Sequence, residues 1–236
     1  MELELSPILD KEALAKEFAR KGRLQIKGVL APKSAEGIYD ALMRETPWGL
    51  VYNNGEEATR IAHEPYKNLG PDQMQALYRD IFIRAQSDFQ YIYQNFPISP
   101  AGAPEEVGNP VLDRAYAFIN VGAMMKLVRR VTEIPGLSKA DAEATLYRQN
   151  TFMHWQGRKA AAHGARIGYS LNFTREWNPN WGGFLQLFDE HMNVEEAFYP
   201  AFNSLTLFSV PATYSVSFVA LFCQGVRLSI SGWYGE

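Results

Sequence analysis

Apolar residues recur at helical spacing through the first two-thirds of the chain and in short alternating runs through the last third. Asp10 is placed to cap a helix that carries Leu14, Phe18 and Ala19 and stops at Gly22, the residue type that most readily ends a helix in the left-handed region. Leu24, Gln25 and Ile26 alternate as a short strand does. A second helix is expected after Pro32, with Ile38, Leu42 and Met43 on its inner face, and 48–52 reads as extended. Pro71 suits the first turn of a long helix bearing Met74, Leu77, Tyr78, Ile81, Phe82, Ala85 and Phe89. The Pro- and Gly-rich stretch 96–110 reads as a loop, and 111–131 as one further helix. Aromatic stripes at this spacing indicate core packing rather than a cofactor box.

After about Ala144 the texture changes. Runs rich in aromatic and β-branched residues occupy 146–155, 167–174, 184–188, 204–210, 215–222 and 226–233. Asn178-Pro179, Gly182-Gly183, Pro200 and Pro211 punctuate them. Six short strands at this spacing predict an antiparallel sandwich or barrel. With no repeat and no long linker, the expectation is one α+β domain, 1–143 forming a mainly helical buttress and 144–236 the strands of the core.

Composition narrows the chemistry. The 236 residues are 47% apolar and 21% charged, with 23 basic against 26 acidic side chains, so neither nucleic acid nor an anionic membrane is expected as partner. Without a basic, apolar leader or an apolar run of membrane-spanning length, the reading is a soluble cytoplasmic protein. A single cysteine, Cys223, excludes an intrachain disulfide and a cysteine-cluster zinc site, and the histidines are only four: His63, His154, His163 and His191. Any histidine-built metal centre must draw on that small pool.

Three segments carry the most information. Trp177-Asn178-Pro179-Asn180-Trp181-Gly182-Gly183-Phe184 is a glycine-pair turn leading into a strand; Pro200-Ala201-Phe202-Asn203-Ser204-Leu205 is a loop leading into another; and Val226-Arg227-Leu228-Ser229-Ile230-Ser231-Gly232-Trp233 is a final strand with one arginine. An arginine among Val226, Leu228 and Ile230 needs an anionic partner if it points inward; otherwise it is a solvated outward side chain. Together these segments resemble the prolyl-hydroxylase-like branch of the 2-oxoglutarate- and Fe(II)-dependent dioxygenases, over about 144–233. The resemblance implies a jelly-roll, cupin-like double-stranded β-helix whose open end holds the active site. In that family a His-x-Asp pair on an early strand and a distal histidine on a late one hold iron, leaving three positions open, and an arginine binds the far carboxylate of 2-oxoglutarate.

The family's lead-in resembles Tyr147-Arg148-Gln149-Asn150-Thr151-Phe152-Met153-His154-Trp155, which puts the metal pair at Gln156 and Arg158. The distal histidine falls at Tyr214, after Val210-Pro211, and the arginine is Arg227. A glutamine amide binds divalent iron weakly, a phenol must ionise far below its usual pKa of about 10, and a guanidinium places a fixed positive charge at the cation's own position. The facial triad is therefore degenerate, and a metal-independent site without iron is expected. Pairing His154 with Gln156 requires a two-residue shift and still lacks a distal histidine; His154, His163 and His191 read as surface or loop residues.

The cosubstrate side is retained: Tyr147, Tyr169, Arg227 and Ser231 match positions that touch or line the 2-oxoglutarate pocket in the family. Arg158 either joins Arg227 in the cavity, where an anion or an acidic side chain such as Asp189 or Glu190 would neutralise the pair, or points to solvent beside Lys159. Trp155, Trp177 and Trp181 are placed either to meet an apolar part of a substrate or to serve as core. Three functions stay open. The first is a non-oxidative, iron-independent enzyme acting on a carboxylate-bearing small molecule or peptide. Tyr214 would be its general acid or base, beside Gln156, while Arg158 and Arg227 hold the carboxylate; 2-oxoglutarate or a similar carboxylate would be its ligand, with Trp155 at the mouth. The second is a non-catalytic pseudoenzyme or binding module of a hydroxylase system. The third is an active 2-oxoglutarate-dependent hydroxylase with unconventional metal ligands. A homodimer through the helical face is compatible with the sequence but not required by it.

Overall fold

A computed structural model describes residues 2–55, 57–98, 108–156 and 164–236. Helix α1 (Lys11–Lys21) starts where Asp10 accepts the Ala13 N–H and ends at Gly22 in the left-handed region, φ 66°. Strand β1 (Arg23–Lys27) follows, then α2 (Pro32–Asp40), whose last turn widens over Ala41–Glu45 and leaves Met43 exposed rather than inward. The next elements are β2 (Gly49–Asn53), β3 (Ala58–Ile61), α3 (His63–Lys67) and α4 (Pro71–Arg84), with Phe89 beyond the helix and exposed. Strand β4 (Tyr91–Pro97) occupies sequence expected in part to be loop. The expected long helix is two, α5 (Pro110–Asn120) and α6 (Ala123–Thr132), because a Cβ at Gly122 would meet the Phe118 carbonyl at 2.8 Å and the chain turns there. The remaining strands are β5 (Lys139–Ala140), β6 (Glu143–Tyr147), β7 (Phe152–Gln156), β8 (Ala165–Asn172), β9 (Leu185–Phe188), β10 (Val194–Phe198), β11 (Ser204–Ser209), β12 (Thr213–Val216) and β13 (Arg227–Gly235). Strands thus run through the first 143 residues as well, interleaved with the helices.

All strand pairs are antiparallel, in the order β1-β11-β8-β13-β6-β4-β7-β12-β9-β10. Strand β4 turns the ladder: Gln94 to Pro97 pair with β6, whereas Tyr91 and Ile92 pair with β7. The two ends then face each other. Arg23 on β1 reaches Glu195 at 2.6 Å and Glu196 at 2.7 Å on β10, so side chains close the barrel where no strand ladder does. This is the double-stranded β-helix architecture.

Period-two alternation decides what lies inside it. On β13, Leu228 and Ile230 point out and pack with Leu171, Leu205, Ile38, Ile119 and Val128 into a core beneath α1, α2, α5 and α6. The intervening Arg227, Ser229 and Ser231 therefore face the barrel interior. On β6, Ala144 and Leu146 join that core, and Glu143, Thr145 and Tyr147 point inward.

Candidate active site

The barrel encloses a cavity of about 460 Å³. One wall comes from β4, β6, β8 and β13, the other from Met153 on β7, Leu185 on β9, and Tyr214 and Val216 on β12. Arg227 lies at its inner end, 3% exposed. Its guanidinium carbon stands 4.9 Å from the centroid of the Tyr147 ring, and its Nε is buried with no hydrogen-bond partner among the described residues. Burial pushes its pKa down, against the Tyr147 contact, yet guanidinium stays charged. A buried cation that, among the described residues, rests on a ring face and has an unsatisfied Nε is poised for an anion.

The glycine pair expected as a turn shapes this end. Gly183 has φ 70°, and a Cβ there would meet the Trp177 ring at 2.9 Å and the Arg227 Cδ at 3.5 Å. Gly182, φ 74°, lies so close to the Phe218 carbonyl that any side chain would collide. Trp177 donates its indole N–H to the Gly182 carbonyl at 2.8 Å, which makes it a structural tryptophan behind Arg227.

Tyr214 also lines the cavity, its ring packed edge-on against Trp233 at 5.6 Å and tilted against Phe208 at 5.5 Å. Burial raises its phenol well above the ordinary tyrosine value, with Asp141 adding to the shift. The hydroxyl is a proton donor at neutral pH, not a tyrosinate. Gln156 ends β7 with its backbone opposite Tyr214.

The other expected residues divide. Tyr147 and Ser231 line the cavity, Ser231 donating to Ser170 at 3.2 Å. Tyr169 reaches only its edge: the ring packs on Tyr234, and the hydroxyl donates to the Asp141 carbonyl at 2.7 Å. Trp155 does not belong to this site. It is 55% exposed and borders a separate apolar groove with Phe82, Phe152, His154 and Phe218: strict alternation would put it on the face of Met153, but the pairing of β7 with β12 shifts register between Met153 and Gln156. Arg158 and His163 lie outside the described residues. Asp189 accepts the His191 and Asn193 N–H groups in a tight turn and does not reach Arg227.

The acidic groups of the cavity are Glu143 and Asp141, which the sequence did not single out. Burial raises Glu143 to about 7 against the short hydrogen bond, 2.6 Å, that it accepts from Asn95 Nδ2. Asn95 in turn accepts from Arg60 Nε at 3.1 Å, so Arg60 orients the amide that orients the carboxylate. Asp141 is likewise raised by burial. The signal for Glu143 was available: it stands four residues before Tyr147 on one strand, hence on the same face.

None of the described histidines lines the cavity. His154 Nδ1 sits 3.3 Å from the Asp88 carbonyl oxygen, His63 Nδ1 lies 3.1 Å from the Trp48 carbonyl oxygen, and His191 is beside Glu190 on an exposed turn. Among the described residues, no three His, Cys, Asp or Glu side chains gather as a metal site. Tyr214, at the expected position of the distal ligand, is a phenol that burial keeps protonated and is by itself a poor donor for divalent iron.

Residues 142–235 match the family model described as the 2OG-Fe(II) oxygenase superfamily. Solved structures agree over nearly the whole chain. A prolyl-4-hydroxylase from Pseudomonas putida is 18% identical with a TM-score of 0.61, covering 96% of this chain and 98% of its own. A 2OG-Fe(II) oxygenase-family oxidoreductase from Burkholderia pseudomallei is 12% identical with a TM-score of 0.60, covering 100% and 95%. A prolyl hydroxylase from Trichoplax adhaerens, solved with a hypoxia inducible factor peptide fragment, is 14% identical with a TM-score of 0.61, covering 96% and 89%. At such identities the likeness is one of fold. No curated protein matched the sequence. No described helix is long and apolar enough to cross a membrane.

Proposed function

On the premise of the match of residues 142–235 to the 2OG-Fe(II) oxygenase superfamily, we propose that this protein is a non-oxidative, iron-independent enzyme acting on a carboxylate-bearing small molecule. The observation that carries the reading is Arg227: a buried guanidinium with an unsatisfied Nε, opening on a cavity of about 460 Å³. A barrel retained only as a scaffold would have its interior filled by side chains, and this one is open.

In this reading Arg227 takes the carboxylate of the substrate, and Tyr147 holds the guanidinium flat beneath it. Charge-assisted hydrogen bonds in a desolvated site bind and orient strongly. Tyr214, fixed by Trp233 and Phe208, donates its phenolic proton to oxygen charge that develops on the substrate, as a general acid or as a hydrogen-bond donor. Its raised pKa disfavours the role of base that the sequence left open. The roles expected of the Gln156 and Arg158 side chains fall outside what the structure describes, so the proposal rests on Arg227, Tyr147 and Tyr214. 2-Oxoglutarate itself, or a close analogue, is a fitting ligand.

Metal analysis tests the proposal. After anaerobic reconstitution with Fe(II), the purified protein is expected to retain less than stoichiometric iron and to leave 2-oxoglutarate unconsumed. Stoichiometric iron with turnover of 2-oxoglutarate would overturn it.

A further inference from the structure

The cavity has a second pole. Strand β13 sets Arg227 opposite Tyr147 and Ser231 opposite Glu143, so guanidinium and carboxylate stand on one face of paired strands, four residues apart in register. At about 3.3 Å per residue, this separates their Cα positions by about 13 Å along the strand. Between them the floor is made of Thr145 and Ser229, whose hydroxyls satisfy each other at 2.7 Å. The facing wall is apolar, with Met153, Leu185, Val216 and Phe208.

The two charges do not neutralise each other across that distance. Glu143 is held by Asn95, and Arg227 rests on Tyr147. Each is partly stripped of water, and each lacks a counterion from the opposite end. Such a cavity favours a ligand that brings both missing charges and a non-polar stretch to lie between them. Tyr93, whose ring stacks on Tyr147 with centroids 4.9 Å apart, borders the same wall.

We propose that the cavity takes a zwitterion: a carboxylate on Arg227, a protonated amine on Glu143, and a short carbon chain crossing Thr145 and Ser229 beneath Leu185 and Val216. This names the substrate class of the site proposed above and rests on the Arg227 anion pocket. Asn95 and Arg60 are positioning residues here; they aim the Glu143 carboxylate and do not touch the ligand.

Calorimetric titration of the whole chain with hexanoate and with 6-aminohexanoate separates the two layers of the argument. The amino acid is expected to bind at least about tenfold more tightly than hexanoate, a difference of about 1.4 kcal/mol. Glu143→Gln is expected to remove that difference. Equal affinities in the unaltered protein, with hexanoate still bound, would overturn the zwitterion and leave the anion pocket standing. A preference that survives Glu143→Gln would overturn the assignment to Glu143. Binding of neither ligand would take down the anion pocket and the zwitterion together. The comparison in the unaltered protein decides the matter even if the variant fails to fold.

Discussion

The guanidinium of Arg227 lies over the ring of Tyr147, 4.9 Å from its centroid, in direct register across β13 and β6. The contact stabilises the cation by about 0.5–2 kcal/mol, less than a buried charge costs. An anion supplies the rest. Arg227→Ala is therefore expected to reduce binding of a small dicarboxylate such as 2-oxoglutarate by about 100-fold or more, in line with the 2–5 kcal/mol lost when one partner of a buried charge pair is truncated. Thermal unfolding should move little, since the ligand-free protein loses an unpaired buried charge. Undiminished dicarboxylate binding in the variant would show that Arg227 is not the anchor.

Gly183 is the second test of the same end of the cavity. A methyl group there meets Trp177 at 2.9 Å on a backbone with φ 70°. Gly183→Ala should cost about 1–3 kcal/mol of stability and weaken carboxylate binding, through displacement of Trp177 and the Arg227 stem. Chemical denaturation reads the first and calorimetry the second.

Glu143 makes stability depend on pH. Its folded pKa of about 7 exceeds the unfolded value of 4.5, so the folded state holds the extra proton between them. Its contribution is complete below about pH 4.5 and is lost as pH rises through about 7, by an amount on the order of 3 kcal/mol. Arg60 and the Asn95 hydrogen bond oppose the shift, and Asp141 adds to it. Glu143→Gln should flatten this part of the profile of unfolding free energy against pH. The same fall in stability in the variant would assign it to another group.

Tyr214 is expected to remain a phenol. A near-ultraviolet titration, taken as the difference between the parent and Tyr214→Phe, should show no tyrosinate from this residue until well above the ordinary pKa of about 10. The variant keeps the ring packing against Trp233 and Phe208 and should fold normally. A tyrosinate band at neutral pH would contradict the donor role.

Much of this was legible in the sequence. Asp10 and Gly22 bound their helix because capping is a local property. Arg227, Ser231, Tyr147 and Tyr214 came together because strand alternation and the family resemblance agree on their faces. What was missed follows from tertiary context. Strand β4 turns Asn95 toward a polar interior, buries Gln94 on its other face and ends at Pro97, so it lacks the apolar run that marks a strand. Strand β10 is an edge strand, and its Glu195 and Glu196 look like solvent-facing loop residues until Arg23 closes the barrel on them. Glu143 shares the face of Tyr147, which the sequence spacing allows, but its hydrogen bond from Asn95 comes from a neighbouring strand whose register no local pattern encodes. Trp155 borders the groove beside α4 rather than the cavity because β7 shifts register against β12 between Met153 and Gln156, an irregularity that no local pattern encodes.

If, as proposed, this oxygenase fold keeps an anion pocket that works without iron, titration of 2-oxoglutarate into the protein with and without anaerobic Fe(II) should show saturable binding of the same affinity in both, abolished by Arg227→Ala. Binding that appears or tightens markedly only when Fe(II) is present would contradict it.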